Sequence, residues 1–182
     1  KPIELIVNNL VSKPYVDITI ELMNHFGYEI SHEQHKLFYI KPKKKNSSEI
    51  TIQVESDWSA ASCILVAGVM AGNIKISGLN IQSKQADKAM LDVLELCNVD
   101  IEVNHQFVHV NKSNYLKAFE FDANDCPDLF PALVLLATQC EGKSVISGIH
   151  RLIHKESNRK EALLNVFSTM GADIFIESDS II

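Results

Sequence analysis

The sequence predicts an α/β fold built from a repeated unit of helix, strand, helix, strand and strand. Three observations carry that reading. Ile76-Ser77-Gly78 returns as Ile146-Ser147-Gly148, 70 residues later. An apolar helix pattern precedes each copy, and an amphipathic helix with short strands follows it. The opening region carries the rear part of the same unit without its first helix. Repeats of this size are closed modules rather than solenoid turns, and copies of one module favour pseudo-symmetric packing.

Taken in order, Ile3 to Val7 reads as a strand, Val16 to Phe26 as an amphipathic helix stopped by Gly27, and Tyr28 to Ser31 and Leu37 to Ile40 as two strands. Lys41 to Ser48 is loop-like, a strand follows it, and Gln53 to Asp57 is a candidate crossover between domains. Ala60 to Gly68 is a small-residue and apolar helix ending at Gly72. Its counterpart, Phe130 to Ala137, has Gly142 as its stop. Amphipathic helices over Gln85 to Cys97 and Arg159 to Met170 lead to strands Asp100 to Val103 and Asp173 to Ile176. The final Asp179-Ser180-Ile181-Ile182 is strand-like, and with the late start in the first copy it suggests a piece of a longer protein.

The chain has 182 residues, 46% hydrophobic and 22% charged, enough to bury a core. No apolar run is long enough to span a bilayer, and nothing at the start resembles a signal peptide, so a soluble cytoplasmic protein with no membrane partner is expected. The net charge of −6 argues against nucleic acid, which basic surfaces bind, but allows a phosphorylated small molecule. Cys63, Cys97, Cys126 and Cys140 form no C-x-x-C pair and read as buried thiols, not disulfides or a zinc site. His32 and His35 are three apart in a strand-like segment, which directs them to opposite faces and discounts them as a metal pair.

Two motifs carry chemistry. Asp125-Cys126-Pro127-Asp128-Leu129-Phe130-Pro131 puts Asp128 in a first helical turn, where the dipole favours an ionised carboxylate able to accept a proton. The competing reading is an ordinary acid that stabilises the helix start. His154-Lys155-Glu156-Ser157-Asn158-Arg159 clusters cations and a carboxylate at another helix start. If helical, Lys155, Glu156 and Arg159 share one face and suit an anionic ligand with proton transfer, unless the run is merely a solvated charged turn. Ser12-Lys13-Pro14-Tyr15 offers a hydroxyl, helix-start N–H groups and a ring, or a plain N-cap.

These motifs, with Asp57-Trp58-Ser59-Ala60-Ala61-Ser62 and Gly148-Ile149-His150-Arg151-Leu152-Ile153, resemble the 5-enolpyruvylshikimate-3-phosphate synthases, the 3-phosphoshikimate 1-carboxyvinyltransferases. The resemblance runs from about Val11 to the end of the chain and covers well under half of a family member. It implies an enolpyruvyl transferase-like α/β fold with pseudo-threefold packing of repeated units, in a two-domain protein with substrates in the cleft between its domains. Residues 1–55 then belong to the last unit of one domain, and residues 57–182 supply two units of the other, at about 57–110 and 122–182.

The implied reaction moves the enolpyruvyl group of phosphoenolpyruvate to the 5-hydroxyl of shikimate 3-phosphate and releases phosphate, in the shikimate pathway to aromatic amino acids. The resemblance implies a monomeric parent and no metal or organic cofactor. By analogy Asp128 accepts the proton of the attacking hydroxyl and Glu156 exchanges a proton with the methylene carbon. Arg159 holds phosphoenolpyruvate, Lys155 and Arg151 reach shikimate 3-phosphate, Ser12 touches its phosphate, and Tyr15 packs on its ring. Asn158 stands where the family commonly has an acid, and Ser56 and Ala86 replace glycines. The family's N-terminal lysine and arginine motifs, its serine-glutamine segment and its C-terminal cations are absent, so the chain alone is expected to be inactive. The rival readings are a UDP-N-acetylglucosamine enolpyruvyl transferase and a non-catalytic binding or scaffold module.

Overall fold

The structure is a computed structural model that describes residues 1–42, 49–153 and 157–182. The lysines at 43 to 45, the Asn46-Ser47-Ser48 sequon, and His154, Lys155 and Glu156 lie outside the described residues. The chain divides into two compact units, Lys1–Val54 with Lys84–Ala86, and Glu55–Ser83 with Asp87–Ile182.

In the first unit β1 (Ile3–Ile6), β2 (Glu29–Glu33) and β3 (Leu37–Lys41) form an antiparallel sheet with β3 central, and α1 spans Lys13–His25. The helix starts three residues before the expected Val16 because Ser12 turns left-handed (φ 53°) and Pro14 sits in the first turn, where its missing N–H is harmless. Gly27 at φ 88° ends it, with Tyr28 N–H donating to Met23 O at 3.1 Å. The Asn24 side chain then stitches helix to sheet, accepting from Ile30 N–H at 2.8 Å and donating to Ile30 O at 3.1 Å. The strand expected after the lysine-rich loop is not formed, and residues 49 to 57 are irregular. Alternation supplies a face but not a pairing partner, and β3 is already paired along both edges.

His32 and His35 do not point apart as their spacing implies. The strand ends at Glu33, and Gln34 and His35 adopt φ 48° and 57°, so the period-two rule stops one residue after His32. The turn brings the imidazole centroids to 4.0 Å, with His35 N–H donating to His32 Nδ1 at 3.1 Å.

The second unit holds two copies of the repeat. The first is α2 (Trp58–Ala71), β4 (Ile74–Ser77), α3 (Met90–Leu96), β5 (Ile101–Val103) and β6 (Phe107–Val110). The next begins with β7 (Glu120–Asp122) and continues through α4 (Phe130–Ala137), β8 (Val145–Ser147), α5 (Arg159–Thr169), β9 (Ile176–Glu177) and β10 (Ser180–Ile181). The sheets run β4-β6-β5 and β7-β8-β10-β9. Both repeat the order of β1-β3-β2, with the last strand of each unit in the middle, so the sequence repeat is also a repeat of topology. The added β7 pairs parallel to β8.

Helix α2 is buried at Trp58, Ala61, Leu65, Val66 and Val69, and α4 at Phe130, Leu133 and Leu136. Removing a leucine from such a core costs about 2–5 kcal/mol. Gly68 lets α2 lie on its sheet, since a Cβ there would stand 2.7 Å from Val110 Cγ2. Cys63 departs from the expected buried thiols, being on the exposed side of α2; Cys97 and Cys126 are buried and all four thiols are free.

Three other boundaries differ from expectation. Ala86–Ala89 is a 3-10 turn, so α3 starts later than Gln85. Helix α4 ends before Gly142, because Gln139 and Cys140 N–H groups bond three residues back and tighten its last turn. The last expected strand, Asp173 to Ile176, is displaced toward the C-terminus: of its residues only Ile176 falls in β9, which runs Ile176–Glu177.

Candidate active site

Parallel pairing of β7 with β8 brings the two chemical motifs together. Parallel neighbours end on the same side, so the loop after Asp122 and the loop after Ser147 emerge next to each other. Ala123 N–H extends the ladder to Ser147 O at 3.0 Å. Gly148 (φ 93°) then passes so close that a Cβ would lie 2.9 Å from Asn124 N. Arg151, on the 3-10 turn Ile149–Leu152, donates from Nε to Asn124 O at 3.1 Å and ties the second loop to the first.

Asp128 sits in a first helical turn, as expected, and that turn is 3-10 rather than α, Pro127–Leu129, leading into α4. Pro131 has no N–H to give Pro127 O, so the turn closes instead with the Phe130 N–H on that carbonyl. Helix α5 begins at Arg159. Its cap is Asn158, whose side chain accepts from Glu161 N–H at 3.3 Å. Asn, Asp and Ser are comparable caps, so an amide serves where the family pattern has an acid.

The two motifs meet at their charges. Arg159 Nη1 donates to Asp128 Oδ1 at 2.6 Å, across 31 residues of sequence. Both side chains are about one-third exposed, at 34% and 39%, so the pair is worth at most about 1 kcal/mol to stability and remains open to an incoming ligand. Chemically it offers a carboxylate acceptor beside a planar guanidinium, the combination suited to an anion next to a group that must lose a proton.

A second pair, His150 with Asp179, braces the turn that carries Arg151. Asp179 accepts from His150 N–H at 2.9 Å, and its other oxygen lies 2.7 Å from His150 Nδ1. Burial raises the Asp179 carboxyl, but the His150 backbone and ring bonds outweigh it and hold the group below its usual range. Burial, followed by the carboxylates of Asp87, Asp125 and Asp122, pushes the Cys126 thiol up to about 12, so this cysteine of the motif is not a nucleophile.

Of the residues singled out from sequence, Asp128, Arg151 and Arg159 therefore converge on one pair of loops. Glu156 and Lys155 lie outside the described residues. Ser12 and Tyr15 belong to the first unit: Ser12 O accepts from Tyr15 N–H at 3.1 Å, and the Ser12 hydroxyl makes no cap bond to α1, against the plain N-cap reading. Asn124, His150 and Asp179 were not anticipated. Their roles depend on contacts across 27 and 29 residues, for which no local spacing gives a signal. A cavity of about 450 Å³ between Thr138, Lys143 and Phe175 contains none of the site residues. Among the described residues no helix is long and apolar enough to cross a membrane.

Known proteins resemble this chain along nearly all of its length. The 3-phosphoshikimate 1-carboxyvinyltransferase of Clostridium novyi is 35% identical over 98% of this chain and 40% of its own length. That of Methanosphaera stadtmanae is 32% identical over 100% of the chain and 44% of its own length. The chain thus spans less than half of the curated relatives it matches. The structure of EPSP synthase from Acinetobacter baumannii superposes with a TM-score of 0.72 at 21% identity, over 99% of this chain and 42% of that one, which shows the shared fold. Residues 2–182 match the family profile of EPSP synthase, and the chain belongs to this family of 3-phosphoshikimate 1-carboxyvinyltransferases.

Proposed function

We propose that the whole protein transfers the enolpyruvyl group of phosphoenolpyruvate to the 5-hydroxyl of shikimate 3-phosphate, releasing phosphate. The observation that carries this reading is the 2.6 Å approach of Arg159 to Asp128, which joins the two motifs at a carboxylate and a guanidinium. Addition of an alcohol across the enol phosphate, followed by loss of phosphate to leave an enol ether, needs one group to take the alcohol proton and another to give a proton to the methylene carbon and remove one as phosphate departs. Asp128 takes the hydroxyl proton, and Glu156 serves the methylene carbon. Arg159 binds the phosphoenolpyruvate anion, which competes with Asp128 for the guanidinium and leaves the carboxylate ready to accept the proton. Arg151, through Asn124 O, sets the Asp128 loop as well as reaching shikimate 3-phosphate with Lys155. On the first unit, Ser12 serves the phosphate of that substrate and Tyr15 its ring. The direct test incubates the full-length protein with both substrates. Phosphate release that requires shikimate 3-phosphate supports the assignment; release only with another acceptor, such as a nucleotide sugar, refutes it.

A further inference from the structure

Asp17, His32 and His35 form a cluster in the first unit that plays no part in the proposed chemistry. Asp17 projects from α1 toward the β2–β3 turn, where its Oδ1 lies 2.6 Å from His35 Nε2 and 3.6 Å from His32 Nε2. One ligand atom from each residue falls within 4.8 Å of the other two. We propose that this trio is a binding site for a divalent transition metal of the zinc, cobalt or nickel type, with water completing four-coordination.

Two imidazole nitrogens and one carboxylate oxygen are the donor set of these borderline ions, not of magnesium or calcium, which prefer all-oxygen shells. Two of the three donor separations need little adjustment, and the third, within 4.8 Å, closes by at most about 1.5 Å. Ligand bonds of about 2.0–2.1 Å in a tetrahedron put neighbouring donors about 3.3 Å apart, so the 2.6 Å contact opens and the 3.6 Å contact closes, each by less than about 1 Å. Phe38 is buried, and its ring lies 5.4 Å from that of His32 and 6.4 Å from that of His35, which limits how far either imidazole can swing. The side chains of His32, His35 and Asp17 are 26%, 21% and 37% exposed, so a hydrated ion reaches them.

One cost limits the affinity. His32 Nδ1 accepts from His35 N–H at 3.1 Å, which places the His32 proton on Nε2. A metal at Nε2 moves that proton to Nδ1 and forfeits the bond, so micromolar rather than nanomolar binding is expected. Occupied, the site pins α1 to the β2–β3 turn by a bond that spans 18 residues of sequence.

The test is titration of the chain with Co²⁺, following the visible absorption of a four-coordinate ion, with zinc as competitor. One equivalent should bind saturably. Asp17→Ala and His35→Ala should each weaken binding at least tenfold, while His105→Ala in the other unit leaves it unchanged. Should a variant fail to fold by circular dichroism, paramagnetic broadening in the unaltered chain decides, because the His32 and His35 ring signals must be lost before those of other histidines. Unchanged binding in folded Asp17 and His35 variants, prior loss of other histidine signals, or no saturation by about 0.1 mM metal overturns the proposal.

Discussion

Arg159 Nη1 and Asp128 Oδ1, 2.6 Å apart, join two helix entrances that the chain separates by 31 residues. The pair is about one-third exposed and adds little stability, so its value lies in placement. Arg159→Lys tests this. The ammonium keeps the charge but loses the planar fork, so thermal stability should move by no more than about 1 kcal/mol while KM for phosphoenolpyruvate in the full-length protein rises at least about tenfold. Steady-state kinetics with calorimetry of the same sample separates the two effects.

Gly148 combines a left-handed φ of 93° with a contact that leaves no room for a methyl group against Asn124. Gly148→Ala should cost about 2–4 kcal/mol in denaturant unfolding, from left-handed strain and overpacking together. Gly171→Ala has a similar φ of 87° with nothing near its Cβ, so it should cost only the strain, about 1–2 kcal/mol.

Asp179 is held below its usual pKa of 3.8 in the folded chain. A depressed carboxyl adds stability that is present above the unfolded pKa and lost as pH falls through the folded one. Asp179→Asn should therefore lower Tm near neutral pH, and the gap should close as pH falls below about 4. A gap that stays constant from pH 7 to pH 3 contradicts the His150 contact.

Thiol reactivity should follow burial. Cys63 is exposed on α2, whereas Cys126 is buried with its thiol pushed up to about 12. Iodoacetamide at pH 8 should alkylate Cys63 in the native chain and spare Cys126 until denaturant is added, as peptide mass spectrometry reads directly.

The sequence made the repeat legible because apolar periodicity and the Ile-Ser-Gly recurrence are local signals, and the common strand order of the three sheets follows them. It also pointed to Asp128, an acid that stands out before the apolar helix behind it, and to Arg159, which closes a charged cluster at the entrance of an amphipathic helix. What it missed lies in turns and long-range contacts. His35 was assigned to the wrong face because a two-residue period holds only while the strand lasts, and a left-handed turn begins at Gln34. The turn that carries Asp128 is 3-10 rather than α because Pro131 offers no N–H to the carbonyl of Pro127, a detail that periodicity does not register. Asn124 and Asp179 matter through backbone bonds to residues that no motif links to them.

The central claim is that Asp128 takes the proton of the attacking hydroxyl, and Asp128→Asn in the full-length protein is its most direct test. The amide preserves size and a hydrogen bond to Arg159 but cannot serve as the base. Turnover measured by phosphate release should fall at least about a hundredfold while the melting temperature stays close to that of the parent. Turnover within a few-fold of the parent, in a folded variant that still binds both substrates, would contradict the account.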